Sequence, residues 1–244
     1  MYSQAIDFAR RFMGESAYYD PFALCKQLDI PVITDKELNK DGYLICSDGQ
    51  KLIFVSSKVQ NKHRQKFIIA HEVGHFLMHQ EQLYGCSNVS LSSNAKVNTS
   101  RQERDANAFA TELLAPIDEL RSLIPNSSLR LSDISAIAGF FDISMSHAAI
   151  KCVQNSKAEN EALLCYNGDR LQWYVTKGSY NFRNRIPTRC PINVGNITKA
   201  AYVKGIWDDL FEGSVYQEVF HPYGNQSLVL LSGNMIDEEG YYEF

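Results

Sequence analysis

Phe67-Ile68-Ile69-Ala70-His71-Glu72-Val73-Gly74-His75-Phe76-Leu77-Met78 is the stretch on which the fold turns. Across residues 61–79 the apolar positions Phe67, Ile68, Ala70, Phe76 and Leu77 follow a helical period, which predicts a helix. His71 and His75 are four residues apart and so share one helix face. Two imidazoles placed this way can bind a single Zn²⁺. Glu72 sits beside the first of them, where a carboxylate can act as general base on water. The bland alternative is an exposed helix with solvated histidines. The flanking apolar runs argue against it: two imidazoles and a carboxylate in a buried helix are costly without a partner.

A catalytic zinc takes three protein ligands and leaves one position open. The third is sought in Gln102-Glu103-Arg104-Asp105-Ala106-Asn107-Ala108-Phe109-Ala110, within a predicted helix over 101–114 that Pro116 ends. Its apolar stripe is Ala106, Phe109, Ala110, Leu113 and Leu114. Glu103, three and seven residues before Ala106 and Ala110, is expected to point inward along that stripe. Asp105, four before Phe109, competes with a shorter side chain. Asn107 follows Glu103 by one turn and is placed to orient a ligand histidine through its amide. His79 continues the line from His75 and is read as a solvated residue at the helix end.

Working outward, Asp20-Pro21 opens a helix with Asp as cap and Pro in the first position. A further amphipathic helix is expected at Ala5–Met13. Tyr43–Cys46 and Lys51–Ser56, joined through Asp48-Gly49, predict a β-hairpin. Residues 81–100 read as a polar loop, and residues 117–153 as three short helices. Leu131–Lys151 has a helix-turn-helix-like pattern with a break at Asp142-Ile143-Ser144. A second hairpin is predicted from Ala162–Tyr166 and Leu171–Thr176 around Asn167-Gly168, with further strand-like runs at Val215–Phe220 and Ser227–Leu231.

Composition narrows the function classes. The chain has 244 residues, 45% hydrophobic and 21% charged, which is the ordinary globular mix and excludes disordered or fibrous chains. No run approaches a membrane span, and no secretory signal is evident, so a cytoplasmic protein without membrane attachment is expected. The net charge is −4. Residues 158–244 carry all of it, and residues 1–157 are balanced. A DNA reader needs Lys and Arg on its second helix, where only Lys151 stands, so direct nucleic-acid binding is not expected. The six cysteines show no C-x-x-C pair and are expected to be reduced, mostly buried thiols. Trp173, Tyr174, Phe182, Trp207, Tyr216, Phe220, Tyr241, Tyr242 and Phe244 are expected mainly as core.

His71-Glu72-Val73-Gly74-His75-Phe76-Leu77-Met78-His79, then Glu103-Arg104-Asp105-Ala106-Asn107-Ala108-Phe109-Ala110 and Leu113-Leu114-Ala115-Pro116, resembles the ImmA/IrrE family of bacterial metallopeptidases. The lead-in Arg64-Gln65-Lys66-Phe67-Ile68-Ile69-Ala70 is similar too. The likeness covers residues ~52–116, and the paired motifs are far more specific than H-E-x-x-H alone. It implies an intracellular zinc peptidase with His71, His75 and Glu103 as ligands and Glu72 as catalytic acid/base. It further implies a protein substrate, commonly a helix-turn-helix repressor encoded nearby, whose cleavage induces genes of a mobile element or stress response. This sequence departs at Asp105, where Glu is usual, and at Ala115, where Met is frequent. Neither position is a proposed ligand.

The expected fold class is α+β: a zincin-like peptidase domain over residues 1–116, a helical, helix-turn-helix-like subdomain over 117–157, and a C-terminal α+β, β-rich domain over 158–244. The hairpin strand Lys51–Ser56 is expected to pair with an extended substrate segment. The rival reading is a zinc-stabilised adaptor, or the toxin component of a toxin–antitoxin pair, acting by binding alone. Intact Glu72 favours the enzyme, because a structural site needs no acid/base.

Overall fold

The computed structural model describes residues 20–47, 49–83, 96–158, 160–177, 185–192, 200–222 and 224–236. The expected helix at Ala5–Met13, and Asp48, Cys86, Phe182, Tyr241, Tyr242 and Phe244, lie outside these residues. The chain is mixed α and β, with six helices and two sheets among the described residues. It divides into two compact units, Met1–Glu119 with Phe141–Ile143, and Leu120–Phe140 with Ser144–Phe244.

The first unit begins with α1 (Pro21–Gln27). Asp20 is extended and its Oδ1 accepts the Phe22 N–H at 3.0 Å, while Pro21 fills the first helical position, where a missing N–H costs nothing. Leu24 and Cys25 are buried. β1 (Val32–Asp35) follows. It is four residues long with no alternation of burial, so no strand is predicted there. β2 (Gly42–Ser47) and β3 (Gln50–Ser56) make the expected antiparallel hairpin, with Tyr43 opposite Phe54 and Ile45 opposite Leu52. β1 pairs in parallel with the other side of β3, and the sheet order is β1-β3-β2. The central strand is therefore β3. This corrects the expectation for Lys51–Ser56: both its edges are already hydrogen-bonded, and a peptide can add only at β1 or β2.

The sheet packs on α2 (Lys62–Leu83), which pairs with α3 (Lys96–Leu114). Both helices extend beyond their predicted limits. The expected loop 81–100 thus loses residues 81–83 to α2 and 96–100 to α3. Lys96-Val97-Asn98-Thr99-Ser100 has weak helix propensity, which is why the predicted helix starts only at residue 101. Ile53 and Val55 of β3, Ile68, Ile69, Ala70, Val73 and Phe76 of α2, and Ala106, Phe109, Ala110, Leu113 and Leu114 of α3 are buried.

α4 (Ile117–Leu123), α5 (Leu131–Phe141) and α6 (Met145–Asn155) are the three expected short helices. α5 and α6 are bent by 113° at their break. Asp142 in that break has φ 50°, a left-handed conformation that a short polar side chain tolerates. Ser144 caps α6 by accepting the His147 N–H at 3.2 Å.

The second unit holds a five-stranded antiparallel sheet of β4 (Glu161–Asn167), β5 (Arg170–Thr176), β6 (Ala201–Val203), β7 (Phe211–Phe220) and β8 (Gln226–Met235), in the order β5-β4-β8-β7-β6. β4 is buried on both faces from Glu161 to Tyr166, which explains its nearly unbroken apolar run. Of the aromatics expected as core, Trp207 is buried and its Nε1 donates to Gln217 Oε1 at 2.9 Å, whereas Trp173, Tyr174, Tyr216 and Phe220 are only half-buried; Tyr166 and Phe211 join Trp207 in the core. Tyr202 is 71% exposed. The five described cysteines are free, three of them buried. Among the described residues, no single helix is long and apolar enough to cross a membrane.

Candidate metal centre

Close approach of α2 and α3 builds the site. A Cβ on Gly74 would lie 2.9 Å from Phe109 Cδ1, so the helices can meet at this distance only because residue 74 has none. The hairpin is held equally close. A Cβ on Gly42 would collide with Ile68 Cγ2 and lie 2.9 Å from the Phe54 carbonyl oxygen. These two glycines bring β2, α2 and α3 to one cleft.

At the cleft, His71 Nε2 and His75 Nε2 lie 3.0 Å apart. Glu103 Oε2 lies 3.2 Å from His71 Nε2, and Oε1 3.3 Å from His75 Nε2. One donor atom from each residue falls within 4.8 Å of the others. His71 Nδ1 faces Asn107 Oδ1 at 3.0 Å. An amide oxygen only accepts, so Nδ1 carries the proton and the Nε2 lone pair points at His75 and Glu103. Imidazole and carboxylate lone pairs thus converge on one point, an arrangement that a cation relieves. Two nitrogens and one carboxylate are the donors that a divalent first-row metal takes. The residues present fit such an ion.

Each residue singled out in the sequence has a definite place. His71, His75 and Glu103 come together, with Glu72 lining the same cleft. Glu103 does not point into the buried stripe. Its side chain is 56% exposed and reaches the histidines from the rim. Asp105 stands apart from this group, with Arg101 Nε 4.0 Å away. His79 corrects its reading as a solvated residue. It is only 9% exposed, and its Nδ1 lies 3.1 Å from His75 Nδ1. Its i+4 spacing from His75 was the signal available. α2 also departs from helical geometry at this residue, with φ −125° and ψ 19°.

Glu72 is held in a setting that favours its protonated form. Burial and the neighbouring Glu103 charge push its carboxyl up to about 7. The Leu44 backbone N–H and the Lys40 charge pull the other way without prevailing. Burial, followed by the closeness of the His71 imidazole, brings His75 down to about 4, so its ring is neutral at pH 7, the form a metal requires.

The cleft measures about 660 Å³. Gly42, Tyr43 and Leu44 form one wall, α2 the floor, and Gln102, Glu103 and Asn107 the opposite wall. At its end Arg64 donates to Asp41 Oδ2 from Nη2 at 2.7 Å and Nε at 3.1 Å. Its guanidinium lies 5.9 Å from the Phe67 ring centroid.

The model of Peptidase_M78, the IrrE N-terminal-like domain, matches residues 25–152, just over half the chain and the whole of this site. The chain belongs to that family. M78 is a family of peptidases, so the chemistry to be expected of the cleft is hydrolysis, and the His71–His75–Glu103 cluster is suited to a metal ion. No curated protein matches the sequence. Among solved structures, a Mycobacterium tuberculosis transcriptional regulator is similar, with a TM-score of 0.60 at 14% identity over 95% of this chain and 75% of that one. At that identity the likeness is one of fold.

Proposed function

We propose that this M78 protein is a zinc-dependent endopeptidase that cuts one particular cytoplasmic protein. The observation that carries the reading is the convergence of His71 Nε2, His75 Nε2 and the Glu103 carboxylate beside a buried Glu72. Zn²⁺ held by those three residues would polarise a peptide carbonyl and acidify water. Glu72 is the acid/base. Its raised proton affinity suits a group that takes a proton from the attacking water and returns it to the leaving amine near neutral pH. An extended substrate would add to β2 at Gly42–Leu44, the sheet edge that borders the cleft.

On this reading residues 1–116 form a zincin-like domain, 117–157 a helical subdomain of helix-turn-helix-like shape, and 158–244 a β-rich domain. The 113° break between α5 and α6 supports the helix-turn-helix likeness. The balanced charge of residues 1–157 and the single Lys151 on α6 favour a protein partner over DNA. Indiscriminate proteolysis would damage a host cytoplasm, so the substrate is a specific protein. A helix-turn-helix repressor encoded beside the gene is the leading candidate, its cleavage inducing genes of a mobile element or stress response. Co-expression with that repressor, read on a gel, should give discrete fragments that require zinc. An intact repressor in the presence of zinc-loaded protein would reject this target.

A further inference from the structure

His79 has no part in the chemistry above, yet it is a buried polar residue aimed at the site. Its Nδ1 lies 3.1 Å from His75 Nδ1, and the ring centroids are 5.2 Å apart. Two imidazole nitrogens at that distance need one proton between them: one ring donates and the other accepts. The direction follows from the far side of His75, whose Nε2 faces His71 Nε2 and Glu103. A metal held there needs the Nε2 lone pair, so the His75 proton must sit on Nδ1. His79 Nδ1 is then the acceptor, and the His79 proton sits on Nε2.

We propose that His79 is a positioning residue for the metal centre, accepting the His75 Nδ1–H and so fixing both the tautomer and the rotation of that ring. The proposal rests on the metal-site reading above. Backbone geometry agrees with it. α2 leaves helical φ and ψ at His79 itself, where φ is −125° and ψ 19°, in the residue that presents the acceptor. The other histidine has a counterpart, since His71 Nδ1 meets Asn107 Oδ1 at 3.0 Å. Both ring positions are thus set by an uncharged acceptor, one an imidazole and one an amide. Neither is the carboxylate that often serves in such sites.

The test separates acceptance from packing. His79→Asn places Oδ1 where Nδ1 stands and can still accept. His79→Leu fills the space and cannot. Zinc affinity is measured by competition with a chromophoric chelator. The expected result is a loss of about 10–100-fold in His79→Leu, the usual cost of removing such a partner, with most of it regained in His79→Asn. Metal-free thermal melts should leave both variants folded. In the zinc-loaded wild type, ¹⁵N NMR of the rings should show His79 protonated at Nε2 and His75 at Nδ1. Equal affinity in His79→Leu and wild type, equal loss in both variants, or the opposite His79 tautomer would each overturn the proposal while leaving the ligand set standing. A wild type that binds no zinc would overturn both.

Discussion

Asn107 Oδ1 lies 3.0 Å from His71 Nδ1, one helical turn beyond Glu103 on the same face of α3. One helix therefore supplies both a proposed ligand and the group that orients another. Replacing Asn107 by Ala removes the acceptor and leaves Glu103 in place. Zinc affinity should fall by about 10-fold or more, since outer partners of ligand histidines commonly carry that much. Asn107→Asp keeps an acceptor and should bind zinc at least as tightly as wild type. Chelator competition on the three proteins measures this, and unchanged affinity in Asn107→Ala would show the contact to be incidental.

Glu103 and Asp105 are distinguished by position. Glu103 reaches both imidazoles at 3.2 and 3.3 Å, whereas Asp105 lies toward Arg101. Purified wild type should carry about one zinc per chain. His75→Ala and Glu103→Ala should lose it, and Asp105→Ala should keep it. Metal analysis of the dialysed proteins decides the matter. Loss in Asp105→Ala with retention in Glu103→Ala would reverse the assignment.

The site was legible because its chemistry follows helix arithmetic. His71 and His75 share a face by spacing alone, and Glu103 and Asn107 repeat that spacing on the next helix. What escaped was set by tertiary contact. β1 has no periodic signal, and only its parallel pairing with β3 shows that Lys51–Ser56 has no free edge. Helical phase pointed Glu103 toward the core, but a long side chain at the edge of a stripe can reach round to the rim. His79 obeys the same i+4 rule as His75. The sequence does not say that the helix changes geometry there and keeps the ring buried.

Gly74 lies against Phe109 where α2 and α3, which carry the proposed ligands, pack together. Gly74→Ala would normally favour a helix by about 1 kcal/mol. Here the new methyl meets Phe109 at 2.9 Å, and overpacking of this kind costs about 1–3 kcal/mol. The expected net effect is destabilisation, together with weaker zinc binding because α3 is pushed from α2. Phe109→Leu in the Gly74→Ala background should restore part of both. Urea unfolding and zinc titration of the single and double variants provide the check, and a Gly74→Ala protein more stable than wild type would show that the helices are free to separate.

His147 makes a prediction about acid. Burial, then the nearby Lys151 charge, hold its imidazole down to about 4. An unfolded histidine titrates near 6.5. Between those values the unfolded chain binds a proton that the folded chain refuses. Stability from this group is therefore complete above pH ~6.5 and is lost as pH falls toward about 4. The loss between pH 7 and pH 5 should be about 2 kcal/mol. His147→Gln, lacking the titration, should lose less over the same interval in urea unfolding. Identical acid dependence in the two proteins would assign the effect elsewhere.

Glu72 separates an enzyme from a binding protein. Glu72→Gln keeps the side chain's size but cannot take a proton from water. Its carboxyl lines the cleft without joining the three clustered donors, so zinc content should hardly change. Folding should survive as well, because a buried carboxyl that already resists ionisation is well replaced by a neutral amide. Removal of a general base costs ~10²–10⁴-fold in rate. The variant should therefore fold, hold zinc, bind its target protein and fail to cut it. In cells it should lose gene induction and retain the uncut target in a complex that can be isolated. Full activity of Glu72→Gln in cells, with the target intact, would mean that binding alone carries the function, and the adaptor reading would replace the peptidase.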